Sequence, residues 1–386
     1  MESVVNGREC DGFMMPDYGK SSLADMMVPL LATTDQIGRD HPSGHRQGSA
    51  LPWMASIGEP ERIVVLVLDG LGYFQLQERI SELPGFGRLE IFSGTSVAPT
   101  TTAAALTSLT TGLTPGEHGI IGYRMRMAPG EILNSLRWTI SGTGLAGPDP
   151  AVVQPRAPFR GSCPIVVTKA VHLRSGFTQA HLRGTRIRPW KTMSGIISQI
   201  SQALREGEKF VYAYYDGVDT TGHERGLGPE YDLELRFVDM LIHQLLDTLP
   251  SETILVITSD HGQIELSGKP TVLPRQLANK VKYQSGEGRF RWLHLERGQA
   301  EEARRIATEA FGDVAKVLVR EEVCAMGLFG SKTSEVAGSR LGDLALIATG
   351  NVAFFDPSDA GSASMIGMHG GMSAKEMTVP VCVGSR

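Results

Sequence analysis

Cysteine is scarce in this chain. Its four (Cys10, Cys163, Cys324, Cys382) are scattered over 386 residues with no CxxC pair. That argues against a disulfide framework and a thiolate zinc site, and it fits a reducing compartment. Long apolar runs are missing too, since no segment approaches the roughly 18 uninterrupted apolar residues of a membrane span. Residues 1–30 carry charges throughout and lack the basic start and apolar stretch of a signal peptide. Nor is there an excess of one charge: 37 basic and 42 acidic residues give a formal net charge of −5, without the Lys/Arg run that marks a nucleic-acid footprint. These absences predict a cytoplasmic protein that acts on a small substrate, with neither a nucleic-acid polymer nor a membrane as partner. They leave the oligomeric state open.

Several familiar loops are also absent. The chain has no GxxxxGK[ST], no HExxH and no GxSxG. "GTGLAG" at 142–147 fits GxGxxG, but Pro148 and Pro150 follow at once and forbid the helix that a dinucleotide site requires.

What is present is a set of short apolar runs, each the length of a strand buried on both faces of a parallel sheet. "RIVVLVLDG", "KFVYAYYDGVD" and "TILVITSDHG" each end in Asp followed closely by Gly. "LALIATG" and "TVPVCVG" read the same way, and Pro380 places the last at a sheet edge. Helices fall between them. Leu235, Val238, Ile242, Leu245 and Leu249 recur at helical spacing after Pro229, and "TMSGIISQISQALREG" is a shorter amphipathic helix closed by Gly207. Alternating strands and helices predict an α/β fold with a doubly wound, mostly parallel central sheet.

Residues 61–265 and 341–386 are expected to form that core. Residues 1–60 would pack on it, with "HPSGHRQGS" as a flexible approach. Residues 266–340 read as a small inserted α+β cap, and 124–190, rich in Pro, Gly and Arg, as a loop-rich insertion near an active-site mouth.

Ligands of open α/β sheets bind beyond the carboxyl ends of the strands. Asp69, Asp216 or Asp219, and Asp260 stand at such ends, and His223 and His261 lie close by in "DGVDTTGHERG" and "SDHG". His369, in "GMHGGMS", is flanked by glycines that let backbone approach closely. Mixed carboxylate and imidazole donors suit zinc and similar divalent ions, and six of them suffice for two ions with open positions. His118 in "GEHGI" reads as a loop-structuring residue.

Thr100, Thr101 and Thr102 stand directly before an alanine-rich helix. One threonine suffices to cap a helix. A second role is nucleophilic, at a helix N-terminus that favours an arriving anion.

As an ordered set, "VLVLDG", "PTTTAAALTSLTTGLTPGEHGIIG", "DGVDTTGHERG", "TSDHG" and "HGG" resemble the alkaline phosphatase superfamily and, within it, the type I phosphodiesterase/nucleotide pyrophosphatase family. The resemblance runs from about residue 62 to the C-terminus and carries little into 124–190 or 266–340. It implies a two-metal site, with zinc, or manganese or iron, held by Asp69, Asp260 and His261 together with the nucleophile, and by Asp219, His223 and His369. Alignment of "TGLTPGEHGI" makes Thr102 the nucleophile, with Thr101 its rival by one register step and Thr100 or Thr101 as cap. The implied activity is phosphodiester or pyrophosphate hydrolysis through a covalent phosphothreonine. A phosphonate hydrolase or phosphomonoesterase on the same site, and a non-catalytic binding protein retaining the fold, are the alternatives. Where the eukaryotic-type members carry a phosphate-contacting Asn, this chain has Tyr123, so Tyr123 and Arg124, with Arg126, are the expected substrate contacts.

Overall fold

Ile63 to Leu68 consists of Ile, Val and Leu alone, and all six side chains are fully buried. Both faces are covered: Ile63, Val65 and Val67 join one hydrophobic core, and Val64, Leu66 and Leu68 the other. An uninterrupted apolar strand needs such an environment, because burying each aliphatic side chain contributes roughly 1.5–3 kcal/mol. In the computed structural model, which describes residues 8–10, 12–36 and 51–386, this strand is the middle of a seven-stranded sheet.

The strands, in chain order, are β1 (Arg62–Leu68), β2 (Glu90–Thr95), β3 (Ile165–Lys169), β4 (Arg186–Trp190), β5 (Phe210–Tyr215), β6 (Thr253–Thr258), β7 (Val281–Gly286), β8 (Phe290–Leu295), β9 (Ala315–Val319), β10 (Leu344–Ala348) and β11 (Thr378–Ser385). The central sheet has the order β2-β11-β6-β1-β5-β3-β4, and only β11 runs against the others. Strands β7 to β10 form a separate antiparallel sheet of order β7-β8-β10-β9.

The main helices are α1 (Thr102–Thr111), α2 (Met193–Arg205), α3 (Gly217–Arg225), α4 (Pro229–Thr248) and α5 (Ala300–Phe311). Helix α1 and the N-terminal helix Leu23–Thr33 cover one face of the central sheet; α2 and α4 cover the other. The apolar stripe read from the sequence is the buried face of α4, including Leu235, Val238, Ile242 and Leu245. Helix α5 packs on the small sheet through Ala303, Ile306, Ala307 and Phe311.

Three placements differ from expectation. Pro380 lies in an interior strand, not at an edge: β6 pairs with β11 only from Val381 onward, so Pro380 is opposite Ser93 of β2 alone and interrupts no ladder with β6. "LALIATG" is a strand, β10, but it pairs with β8 and β9 of the small sheet and not with the parallel core. And β3 and β4 come from within 124–190, so that stretch supplies two central strands as well as a three-stranded meander, Arg124–Ala128, Glu131–Asn134 and Thr139–Ile140. The run "IVVTK" was the overlooked signal. The "HPSGHRQGS" segment lies outside the described residues.

Candidate active site

The carboxyl ends of β1, β5 and β6 are level, with Leu68 opposite Tyr215 and Val67 opposite Thr258. The turns that follow therefore open at one edge of the sheet. Asp69 leaves β1 and Asp260 follows β6. Asp219 lies in the first turn of α3 with His223 one turn later on the same side. Gly70 lets these pieces meet: its φ is +78°, and a Cβ there would stand 2.8 Å from the Asp219 Cα.

Asp216 and Asp219, which the sequence leaves as alternatives, have separate surroundings. Asp216 accepts from Lys169 Nζ at 2.9 and 3.0 Å and lies 3.3 Å from His172 Nε2. Burial opposes its ionisation, yet those two partners hold its carboxyl below the ordinary value. Asp219 Oδ1 instead faces His223 Nε2 at 3.4 Å and His369 Nε2 at 3.9 Å, and accepts from Gln263 Nε2 at 2.5 Å.

Two groups of three have donor atoms within 4.8 Å of one another: Asp219, His223 and His369, and Asp69, Asp219 and His261. Asp260 Oδ2 stands beside the second group, 3.3 Å from His261 Nε2. Each of the three imidazoles gives its Nδ1 to a backbone carbonyl: His261 to Gly262 at 3.1 Å, His223 to Gly367 at 2.7 Å, His369 to Thr100 at 2.7 Å. A nitrogen facing a carbonyl must carry the proton, so in the neutral ring each Nε2 presents a lone pair toward the carboxylates.

Lone pairs therefore face carboxylates in a nearly dry site. Asp69 is 2 % exposed and Asp260 is fully buried, and Asp69 Oδ1 and Asp260 Oδ2 have no hydrogen-bond partner. Burial, then the charges of Asp260 and Asp219, lift the Asp69 carboxyl well above the usual range. Burial likewise raises Asp260 to about 6 and lowers His261 to about 4. Orphaned buried oxygens beside convergent imidazole lone pairs are what divalent cations would satisfy, so the donor set fits them.

The three threonines have three different environments. Thr100 accepts from Gly370 N–H at 3.0 Å and donates to the Gly371 carbonyl at 2.8 Å, while its own carbonyl holds His369. Thr101 occupies the N-cap position of α1 but makes no side-chain cap bond; its hydroxyl lies beside the Glu287 carboxylate. Neither is a side-chain cap, contrary to expectation, because tertiary partners claim both hydroxyls. Thr102 is the first residue of α1, with its hydroxyl 3.2 Å from His261 Nε2 and beside the Asp260 carboxylate.

Of the expected phosphate contacts, Tyr123 lines a cleft beside Thr102, where its hydroxyl accepts from Asn134 at 2.6 Å and its N–H donates to Glu287 at 3.0 Å. Arg124 is turned inward, 2 % exposed, and is bonded to Asp356 and Ser358. Arg126 donates to the Ser339 carbonyl. Both arginines are tied up by the protein. His118 ends the short helix Pro115–His118 and braces the turn that follows: Ile120 N–H donates to its Nδ1, and its Nε2 meets the Ser108 hydroxyl at 2.9 Å.

Sequence reasoning overlooked several supporting residues. Tyr214 donates its hydroxyl to Asp69, and Gln263 holds Asp219. Both adjoin motifs already noted, "YYD" and "SDHGQ". Glu287 lies in the tight turn between β7 and β8, far from any motif.

Two clefts meet at this edge, sharing Thr102, Asp219 and Leu136. One, about 230 Å³, extends past Asp69 toward Tyr214, Phe177 and His172. The other, about 330 Å³, extends past His223 and His369 toward Tyr123, Glu287 and Asp359.

A mostly parallel α/β sheet thus brings Asp and His together beyond its strand ends, next to a threonine at a helix start. Residues 63–372 match the family model described as type I phosphodiesterase/nucleotide pyrophosphatase, and the chain belongs to that family of phosphoric ester hydrolases. A comparison with curated proteins found no match. Among solved structures the chain is similar to murine ectonucleotide pyrophosphatase/phosphodiesterase 5, in an inactive form in complex with AMP, at 16% identity and a TM-score of 0.64, covering 83% of this chain and 87% of that one. It is also similar to phosphonoacetate hydrolase from Sinorhizobium meliloti in complex with phosphonoformate, at 18% identity and a TM-score of 0.61, covering 84% and 90%. Among the described residues no helix is long and apolar enough to cross a membrane.

Proposed function

We propose that this chain is a metal-dependent phosphodiesterase or pyrophosphatase that works through a covalent phosphothreonine on Thr102. One observation carries the reading: the Thr102 hydroxyl lies at a helix start, within 3.2 Å of His261 Nε2 and against carboxylates whose buried oxygens lack partners. Asp69, Asp260 and His261, with Thr102, would hold one divalent ion and Asp219, His223 and His369 the other, zinc suiting the donor set and manganese or iron also compatible. Such ions supply Lewis-acid charge and ease deprotonation of a bound hydroxyl near neutral pH.

The protein groups then have definite tasks. The Thr102 oxygen bonds to phosphorus in line as the bond to the leaving oxygen breaks, and its proton is received on the Asp260 carboxylate side. Water next attacks phosphorus, the bond to Thr102 breaks, and the threonine is reprotonated. His261 and His369, fixed by carbonyls on Nδ1, keep Nε2 directed at the reacting centre. The same chemistry would serve a carbon–phosphorus bond, so phosphonate hydrolysis is the second reading.

The test is Thr102→Ala. Turnover of bis-p-nitrophenyl phosphate should fall by about a thousandfold or more, metal content should be retained, and no phosphorylated protein should accumulate in rapid-quench mass spectrometry. Loss of turnover in Thr101→Ala with activity intact in Thr102→Ala would move the nucleophile by one residue. Faster hydrolysis of phosphonates than of any diester would favour the second reading, and no turnover of any phosphorus compound by the metal-loaded protein would favour a binding protein.

A further inference from the structure

Glu287 and Asp359 do not belong to the ligand set, yet both line the 330 Å³ cleft beside His223 and His369. Glu287 reaches it from the β7–β8 turn of the small sheet. It is 6 % exposed and packed so closely that a Cβ on Gly370 would stand 2.7 Å from its Cγ. Its carboxylate accepts from the Tyr123 N–H at 3.0 Å and lies beside the Thr101 hydroxyl in the cleft wall. Asp359 is half-buried on the opposite segment.

In the lining itself one cation answers these two, Arg137, and it is exposed. Arg124 and Arg291 stand behind the lining and share the one carboxylate of Asp356; the charges of both also favour the ionised form of Asp359, and that of Arg291 the ionised form of Glu287. Arg126 is held by the Ser339 carbonyl. Apart from the metal-ligating groups, the lining therefore carries two carboxylates against one guanidinium, with Tyr123, Met365 and Met368 as soft walls.

This inference rests on the phosphoryl-transfer reading above, because in-line attack by Thr102 sends the leaving oxygen to the side opposite its hydroxyl, toward Asp219, His223 and His369. The geometry points to Glu287 and Asp359 as specificity residues that reject an anionic leaving group: the favoured substrate is a diester whose departing alcohol is uncharged or cationic, and not a polyphosphate. Like charge brought together in a cleft of low dielectric penalises the wrong partner without adding contacts to the right one.

The test uses metal-loaded enzyme at pH 8, above the value of about 7 to which burial raises the Glu287 carboxyl. Three methyl aryl phosphates share the retained methyl group and differ in the departing phenol, which bears a carboxylate, no charge or a trimethylammonium group. In the wild type, kcat/KM for the carboxylate ester should be about tenfold below that for the neutral one, with the cationic ester at least equal to the neutral. Asp359→Asn and Glu287→Gln should each shrink the gap between neutral and anionic esters by about threefold, and Arg137→Ala should widen it. Asp359→Asn keeps the test independent of any disturbance that Glu287→Gln causes at Thr101. An anionic ester hydrolysed as fast as the neutral one, or a gap unmoved in both carboxylate variants, would overturn the inference and leave phosphoryl transfer standing. No turnover of any of the three esters would remove the parent reading and this inference with it.

Discussion

Two clusters of buried carboxylates lie near each other in this chain, and they are held in opposite ways. In one, Glu376 is gripped by Arg289 at 2.7 and 2.8 Å, and Asp356 by Arg124 and Arg291. Burial opposes ionisation there, but the guanidinium groups win and both carboxyls titrate below their ordinary values. In the other, Asp69, Asp219 and Asp260 gather with no Lys or Arg against them among the described residues, and the carboxyls of Asp69 and Asp260 are raised. Arginine supplies a fixed counter-charge where the fold needs rigidity, and its absence marks where a mobile counter-charge is to be received.

The contrast can be broken from either side. The largest expected effect on stability is at the paired cluster: removing both guanidiniums, Arg124→Ala with Arg291→Ala, strands Asp356 in the interior and should cost about 3–5 kcal/mol in denaturant unfolding. If Arg124 instead served the substrate, KM would rise with stability unchanged. At the unpaired cluster the proposed ion would be the missing partner, so chelation should lower the melting temperature. Restoring zinc to 100 times its dissociation constant should return about 2.7 kcal/mol. A melting temperature indifferent to chelator would contradict the assignment of these donors.

The smallest effect, and the most discriminating in sign, is in pH. A carboxyl raised from 3.8 to about 6, as at Asp260, makes the unfolded state ionise first, so its contribution to metal-free stability should fall as pH rises from about 4 to about 6, against the buried imidazoles of His118, His181, His261, His294 and His369, which burial holds below their ordinary value and whose contribution grows over that range. The lowered carboxyls of Glu376 and Asp356 act the other way, contributing stability at neutral pH that is lost as pH falls below about 4. Urea unfolding of metal-free protein from pH 4 to 7, compared between wild type and the double variant Asp69→Asn with Asp260→Asn, isolates the first contribution: the variant should gain stability relative to wild type as pH rises. A metal-free protein that gains stability over that range by the same amount in wild type and double variant would refute the account.

What the sequence revealed follows from the same physics. Asp69 and Asp260 were legible because an apolar strand must stop at a polar turn, and in a parallel sheet those turns share one edge; Asp219, inside the helix that follows β5, was legible there only as an alternative to Asp216. The partner histidines lie within four residues of an aspartate or between glycines. Arg124 was misread because an arginine written next to a motif looks the same whether it points to solvent or to a buried aspartate 232 residues away. Glu287 carried no local signal at all, since only the folding of the small sheet delivers it to Thr101. Pro380 misled for a related reason: whether proline breaks a ladder depends on where the neighbouring strand ends.

Thr100, Thr101 and Thr102 lie where extended backbone turns into helix, and each step there swings a side chain to a new bearing. One hydroxyl consequently meets the histidine loop, the next the small sheet and the third His261. A single residue inserted or deleted just ahead of α1 would pass every hydroxyl to its neighbour's post, and the chain would keep its threonines while losing the function of all three.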